Sequence, residues 1–140
     1  MRPMASRSEV EDLSREECER LLASQSLGRI AIVVEGRPQI FPVNYVLEDE
    51  VVVFRTSWGL KLERSPLTPV AFETDMVDPV AGEAWSVVVL GTAQDITEAI
   101  DTRSARLRHL AVDPAAPGDR PYWMGVYVRE MYGRRFRLPG

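Results

Sequence analysis

The sequence has 140 residues, of which 45% are hydrophobic and 27% are charged, with a formal net charge of −4. This balance excludes a disordered chain and is typical of one folded domain of ordinary size. No apolar run reaches the roughly 18 residues that would cross a bilayer, which excludes a helical membrane protein.

The N-terminal segment is expected to lie outside the folded part of the chain. Residues 1–12 are polar and predicted to be flexible, whereas residues 13–140 are predicted to form a single domain. The segment lacks the apolar stretch of a secretory signal. The lone cysteine, Cys18, cannot form an internal disulfide and is interpreted as a small buried apolar residue. We therefore expect a cytoplasmic protein without a membrane partner.

A helix follows this segment. Ser14 and Glu17 have the spacing of a capping box, in which a hydroxyl and a carboxylate satisfy backbone N–H groups at a helix start. The apolar residues that come next fall on one face of a helix predicted over Arg15–Ser26, and Gly28 is expected to end it. That face comprises Cys18, Leu21 and Leu22.

Most of the remaining chain shows the alternation and β-branched residues that are typical of strands. Turn sequences at residues 36–38 and 48–50 separate the first three strands, so these are predicted to form an antiparallel meander. Six strands are predicted in all: Ile30–Glu35, Gln39–Leu47, Val51–Thr56, Val70–Asp75, Ala84–Ile96 and Tyr122–Tyr132.

Two loops and a second helix complete the prediction. Residues 58–65 and 113–121 are rich in turn formers and are predicted as loops, the first with one helical turn. Residues 97–110 are predicted as a helix capped by Thr97. The expected fold is therefore mainly β with peripheral helices, in the form of a six-stranded antiparallel barrel.

The chain lacks the usual sets of catalytic side chains. Its single histidine, His109, lies near the end of the second predicted helix, where histidine more often compensates the helix dipole than acts in a triad. One histidine and one cysteine are too few for a zinc site, and no Walker or Rossmann glycine motif occurs. Chemistry in this protein is therefore expected to depend on an external cofactor.

Anion-binding side chains are concentrated after the third predicted strand. The segment Phe54–Lys61 places two cations and two hydroxyls within seven residues. It contains the only lysine of the chain, which otherwise has sixteen arginines as its basic residues. Phosphate accepts charge-assisted hydrogen bonds from such donors. A polar turn with an exposed lysine is the alternative interpretation. The candidate phosphate ligands are Arg55, Thr56, Ser57 and Lys61.

The C-terminal part is basic although the whole chain is acidic. Residues 103–140 contain eight arginines and three acids, a charge of +5, against −9 for the rest. A basic segment can face nucleic acid or a phosphorylated ligand. The acidic total and the absence of a known reader motif argue against nucleic acid as a partner. An interaction module remains an alternative, which predicts salt-sensitive association and no bound chromophore.

Six short motifs occur in a recognisable order. They are Gly28-Arg29-Ile30-Ala31; Gly36-Arg37-Pro38 followed by Pro42-Val43-Asn44-Tyr45; Phe54-Arg55-Thr56 with Gly59-Leu60-Lys61; Ala71-Phe72-Glu73; Trp85-Ser86-Val87-Val88-Val89-Leu90-Gly91; and Gly133-Arg134-Arg135-Phe136. In this order the chain resembles the pyridoxamine 5'-phosphate oxidase-like, FMN-binding split-barrel proteins. It is most similar to their short flavin-nucleotide-binding or nitroimidazole-resistance-like branch. The resemblance extends from about Leu13 to Arg137.

The resemblance implies a six-stranded split barrel that forms a homodimer, with FMN bound in clefts between the subunits. It assigns the phosphate of FMN to the segment that contains Arg55 and Lys61. It also implies contacts to the flavin ring from two strands, and a role for Arg135 at the cofactor or at the partner subunit. The ring-contacting residues implied are Pro42, Val43, Asn44, Trp85 and Ser86. For Trp85, a place in the barrel core is an equally good interpretation.

The function implied is an FMN-dependent oxidoreductase that moves hydride between a reduced nicotinamide, NADH or NADPH, and a small-molecule acceptor. The chain lacks the second basic and aromatic set that grips the substrate's phosphate in true pyridoxamine phosphate oxidases, which argues against vitamin B6 oxidation. A reductase that uses a deazaflavin coenzyme and a non-catalytic flavin storage or sensor protein are the alternatives. One histidine gives little support to haem binding.

Overall fold

The computed structural model describes residues 10–57, 68–112 and 122–139. In these ranges the chain forms seven strands and two helices, and neither helix is long and apolar enough to cross a membrane. The elements are β1 Val10–Asp12, α1 Arg15–Ala23, β2 Leu27–Val34, β3 Arg37–Glu48, β4 Val51–Thr56, β5 Thr68–Asp78, β6 Glu83–Asp95, α2 Thr102–Leu107 and β7 Tyr122–Arg137.

The strands form one antiparallel sheet that closes on itself. Its order is β1-β7-β4-β3-β2-β5-β6, and a further pairing between β6 and β7 completes a barrel of six strands. Strands β2 and β5 pair over only three residues, from Arg29 with Glu73 to Ala31 with Ala71, so the barrel is split beyond that point. The prediction of a mainly antiparallel split barrel is confirmed. The seventh strand, β1, lies outside the barrel and pairs only with the C-terminal part of β7.

Alternation along the strands separates an interior from an outer face. The interior holds the main apolar core, which includes Phe54, Phe72 and Val87, all with 0% exposure. Helix α1 packs against this core through Cys18, which is also 0% exposed, as predicted. On the outer face, Leu107 of α2 joins a smaller apolar cluster on β4 and β7. The two helices therefore cover different faces of the sheet.

The first predicted helix is confirmed at its start and corrected at its end. The Ser14 hydroxyl accepts a hydrogen bond from the Glu17 N–H at 3.1 Å, as the capping box predicts. The helix ends at Ala23 rather than Ser26, because the Ser24 hydroxyl donates to the Leu21 carbonyl. Gly28 does not end the helix. It lies inside β2, where a Cβ atom would come within 2.2 Å of the Phe72 ring.

Most other element boundaries also differ from the prediction by one to three residues, and three larger differences have a clear cause. Residues 10–12, predicted to be flexible, form β1 because they pair with β7. The second helix starts at Thr102, where the Asp101 carboxylate caps the Ser104 N–H, and not at Thr97. Strand β7 continues past Tyr132 to Arg137, because its second half pairs with β6 and β1. The two predicted loops at 58–65 and 113–121 lie outside the described residues.

Candidate cofactor-binding site

The end of β4 presents Arg55 on the outer face of the barrel. Its neighbours Phe54 and Thr56 are buried, whereas Arg55 is only half-buried. Arg55 pairs across the sheet with Trp123 of β7, and its guanidinium carbon lies 5.1 Å from the centre of the Trp123 ring. Such stacking orients the side chain, and a planar guanidinium is a group that binds phosphate through two nitrogens.

The predicted phosphate ligands divide between the two faces. Ser57 is exposed and follows the last residue of β4, whereas Thr56 is 2% exposed and faces the interior. Contact between Thr56 and a ligand would therefore involve its backbone rather than an exposed hydroxyl. Lys61, with Trp58, Gly59 and Leu60, lies outside the described residues.

Strand β3 brings a second group of predicted residues to the same place. Tyr45 of β3 pairs with Phe54, so Asn44 and Arg55 are the next residues on their respective strands. Asn44 is half-buried and Pro42 is exposed, and both lie on the outer face, whereas Val43 is 3% exposed and points into the core. The outer surface of β3 and β4 thus brings together an amide and a guanidinium, and the exposed Ser57 follows directly after the end of β4.

The predicted residues of β6 also lie on opposite faces. Trp85 is 7% exposed and belongs to the main core, so its contacts are those of a packing residue. Ser86 is half-buried on the outer face, where it pairs with Asp75 and Arg134 on the two neighbouring strands. Only β7 separates β4 from β6 on the closed side of the barrel, but Arg55 pairs with Trp123 near the start of β7 and Ser86 pairs with Arg134 near its end, so Ser86 and Arg55 are not neighbours.

Arg135 is held by α1 rather than presented to the outer face. Its Nη2 donates to Glu17 Oε1 at 2.6 Å, and Glu11 lies 3.8 Å from its other terminal nitrogen. Hydrogen bonds from Arg20 and then from Arg135 lower the pKa of Glu17 to about 2. Arg135 therefore joins the end of β7 to the first helix, and this contact accounts for its position within one chain.

Sequence reasoning did not assign a role to the charged group beside Pro42. Arg29 of β2 pairs directly with Pro42 of β3, and its Nη2 donates to Glu73 at 2.7 Å and to Asp75 at 2.9 Å. Burial and the neighbouring Asp75 carboxylate raise the pKa of Glu73, against the opposing effect of Arg29. The sequence did show that Glu73 and Asp75 lie on the same face of one strand. It did not show that they share a cation, because Arg29 is 44 residues away from Glu73.

A polar pocket of about 390 Å³ lies where β6 ends and β7 begins. Thr56 of β4 pairs with Tyr122, which contributes to the pocket wall, so the pocket adjoins the end of β4. No motif indicated this pocket, because distant parts of the sequence form it. Its described lining residues are Asp95, Thr97, Glu98, Ala99 and Tyr122.

An apolar groove of about 540 Å³ runs along the outer face where β2 and β5 separate. It is lined by Val33, Pro38, Pro69 and Leu90, among other residues. Val33 is 63% exposed, and the neighbouring Ile40 is 67% exposed. A surface of this kind usually marks a contact with another molecule.

The residues present fit the phosphate end of a nucleotide cofactor. Arg55 supplies the charge, Ser57 a hydroxyl and Asn44 an amide, which are the donor types that bind a phosphate and fix its orientation. No group of three or more His, Cys, Asp or Glu side chains suited to a metal ion occurs in residues 10–57, 68–112 and 122–139. The donor set on β3 and β4 therefore suits an anionic organic ligand.

Comparison with known proteins gives consistent matches. A family model described as pyridoxamine 5'-phosphate oxidase matches residues 14–135. A solved structure from Corynebacterium glutamicum, provisionally named a pyridoxamine 5'-phosphate oxidase, is 31% identical, with 99% of both chains covered and a TM-score of 0.80. The FAD binding protein from Mycobacterium smegmatis is 35% identical, with 91% of this chain and 98% of that chain covered and a TM-score of 0.72. An uncharacterised protein from Mycobacterium tuberculosis is 38% identical, with 76% of this chain and 75% of that protein covered.

Proposed function

The chain belongs to the pyridoxamine 5'-phosphate oxidase family, and we propose that it binds a flavin nucleotide on the outer face of β3 and β4. The observation that carries the proposal is the neighbouring position of Asn44 and Arg55 on paired strands, with the exposed Ser57 just beyond the end of β4, within the region that the family model matches. Arg55 would hold the phosphate next to the ribityl chain, and the outer side of β3 near Pro42 would lie against the ring.

The flavin, when bound, supplies hydride transfer between a reduced nicotinamide and a small acceptor such as a quinone or a nitro compound. The chain's own residues bind, orient and shield the cofactor, which agrees with the absence of a catalytic triad. Arg29 lies next to Pro42 and is neutralised by two carboxylates. Arg29 would therefore hold the strand surface near Pro42 in place for the flavin ring, and it would not add net positive charge there.

Both FMN and FAD contain the flavin ring and the phosphate that Arg55 would hold. The sequence resemblance implies FMN, whereas the Mycobacterium smegmatis relative, at 35% identity, is an FAD binding protein. The proposal at this level is therefore a flavin nucleotide, which can be FMN or FAD.

We further propose that the protein acts as a homodimer. The apolar groove and the exposed Val33 and Ile40 border the strands that carry Pro42 and Asn44. A second copy that covered this surface would remove it from water and bring its own residues close to the flavin. Ser86, which one chain holds away from Arg55, is a candidate for such a contribution from the partner.

The dimer is tested by Ile40→Glu, which places a charge in the proposed contact, with Val80→Glu as a matched control. Val80 is 97% exposed in the turn between β5 and β6. Light scattering should give a dimer for the wild type and for Val80→Glu, and a monomer with weakened flavin binding for Ile40→Glu. A wild-type monomer would refute the proposed dimer.

The cofactor is tested by the visible spectrum of the purified protein and by titration with FMN, FAD and riboflavin. Two flavin bands are expected, and one band at shorter wavelength would indicate a deazaflavin instead. Absence of any chromophore, with no uptake of added flavin, would refute the proposal. Stopped-flow mixing with NADH or NADPH then separates a reductase, whose flavin bleaches, from a storage or sensor protein, whose flavin does not.

A further inference from the structure

We propose that Glu73 and Asp75 form a carboxyl pair that takes up one proton when the flavin ring beside them is reduced. This inference rests on the proposed flavin function and deepens it, because it assigns to this chain the group that compensates the charge of the reduced ring. Arg29 holds the pair on the outer face of β2 and β5, next to Pro42, where the ring is proposed to lie.

The first argument is the position of the carboxyl pair. Pro42 of β3, Arg29 of β2 and Glu73 of β5 occupy one row of the outer face, because Arg29 pairs with both of the others. Neighbouring strands lie about 5 Å apart, so Glu73 is about 10 Å from Pro42 along this row. A flavin ring against Pro42 would therefore lie within the distance over which two charges at a protein surface interact.

The second argument is the charge balance of this group. Arg29 donates to Glu73 Oε1 from Nε at 3.2 Å and from Nη2 at 2.7 Å, and the same Nη2 donates to Asp75 Oδ1 at 2.9 Å. Within the described ranges, Arg29 is the only cation in ion-pair contact with either carboxylate. Strand β6 places the uncharged Val88 and Ser86 opposite them. One guanidinium thus neutralises one of two carboxylates, and one negative charge remains.

The third argument is that this arrangement can hold a proton. Glu73 and Asp75 lie on the same side of β5 and share one guanidinium nitrogen, which brings their carboxyl groups together. A proton between two such groups removes the remaining charge and forms a hydrogen bond. Burial and then the contact with Asp75 raise the pKa of Glu73, against the opposing effect of Arg29. The Glu73 side chain is 32% exposed, so water can deliver the proton.

The proton follows the charge of the ring in both directions. A reduced nicotinamide delivers two electrons and one proton as a hydride, which gives the ring one additional negative charge. That charge disfavours two ionised carboxyl groups nearby, so a proton from water binds to Glu73 and forms an O–H bond there. When the ring passes the hydride to a quinone, Glu73 releases this proton through water. The quinone thereby gains two electrons and two protons in all.

The experiment is infrared difference spectroscopy of the FMN-loaded protein, comparing the electrochemically reduced state with the oxidised state. In the wild type, the C=O band of a protonated carboxyl group should appear on reduction and shift in D2O. The band should be lost in Glu73→Gln and in Asp75→Asn, because each variant has one carboxylate for one guanidinium. Reduction should raise the proton affinity of the wild-type pair about ten-fold, which moves the midpoint of its pH titration up by about one unit.

Asp12→Asn is the matched control. Asp12 is also an arginine-paired carboxylate, and it lies in the same row of the outer face as Asp75, with β6 and β7 between them. Asp12→Asn should therefore keep the band.

Titration with FMN shows that each variant is folded, and either member of the pair provides the test if the other variant does not bind FMN. Absence of the carboxyl band in the wild type, or a band that remains in Glu73→Gln or in Asp75→Asn, would overturn the proton site alone. Loss of the band in Asp12→Asn would also overturn it, because the band would then not report on this pair. Failure of the wild type to bind FMN, FAD and riboflavin would instead refute the proposed flavin function.

Discussion

Replacement of Arg55 by alanine should weaken FMN much more than riboflavin, because only FMN carries the phosphate. Arg55 is half-buried and oriented by the Trp123 ring. A hydrogen bond to a charged group contributes about 1.5–3 kcal/mol, so FMN affinity should fall by about ten- to a hundred-fold. Riboflavin affinity should change by less than about three-fold, which corresponds to roughly 0.6 kcal/mol. Fluorescence quenching of both flavins provides the measurement.

Arg103→Ala is the matched control. The Arg103 guanidinium lies 5.1 Å from the Tyr127 ring, the same kind of contact on the same strand, but it donates to the Asp49 carbonyl instead of facing β3. Loss of the Arg103 contact should reduce the free energy of unfolding by about 0.5–1 kcal/mol, and loss of the Arg55 contact should reduce it by a similar amount. Arg103→Ala should not change the affinity for FMN relative to that for riboflavin. Equal losses of FMN and riboflavin in Arg55→Ala would show that the phosphate site lies elsewhere.

Three other substitutions test the fold that positions the site. Glu17→Gln should flatten the pH dependence of stability between about pH 4.5 and 2. Because the wild-type Glu17 has a pKa of about 2, the wild type loses stability as the pH falls through this window. Urea denaturation at several pH values provides the measurement, and an equal pH dependence of wild type and variant would contradict the prediction. Tyr45→Phe removes the hydrogen bond to the Leu22 carbonyl, at a cost of about 1 kcal/mol. Since burial raises the pKa of Tyr45 to about 12, the wild type should lose more stability than Tyr45→Phe from about pH 10 to 12 in alkaline denaturation. Gly28→Ala places a Cβ atom 2.2 Å from the Phe72 ring and should destabilise the protein by about 1–3 kcal/mol in denaturant titrations. A variant as stable as the wild type would show that the Phe72 ring has space to move.

Local signals were sufficient for most of the fold. Alternating apolar residues located the six barrel strands, and the Ser14 capping box located the start of α1. The errors lie where a distant partner decides the local structure. Gly28 has the usual chemistry of a helix stop, but its space is occupied by Phe72 of β5. Residues 10–12 have too short a pattern to predict a strand and form one only because the far end of β7 pairs with them.

The candidate site was predictable as a list of residue types and less so as a surface. The motif order identified the family, and the structure brings Asn44 and Arg55 to neighbouring positions on paired strands. The sequence left Trp85 open between a contact to the flavin ring and a place in the core, and it did not indicate that Val43 faces the core, since both strands have apolar residues on both sides. The pocket at Asp95 and Tyr122 had no signature, because its walls come from segments that are far apart in the chain.

The long strand β7 has a consequence for synthesis on the ribosome. Its sixteen residues pair with β1, β4 and β6, all of which leave the ribosome earlier. Until residues 122–137 emerge, the nascent chain has the unpaired edges of β4 and β6 exposed to other chains. Growing chains of this protein should therefore depend on chaperones in the interval before β7 arrives, and barrel closure has to wait until residues 122–137 have left the ribosome.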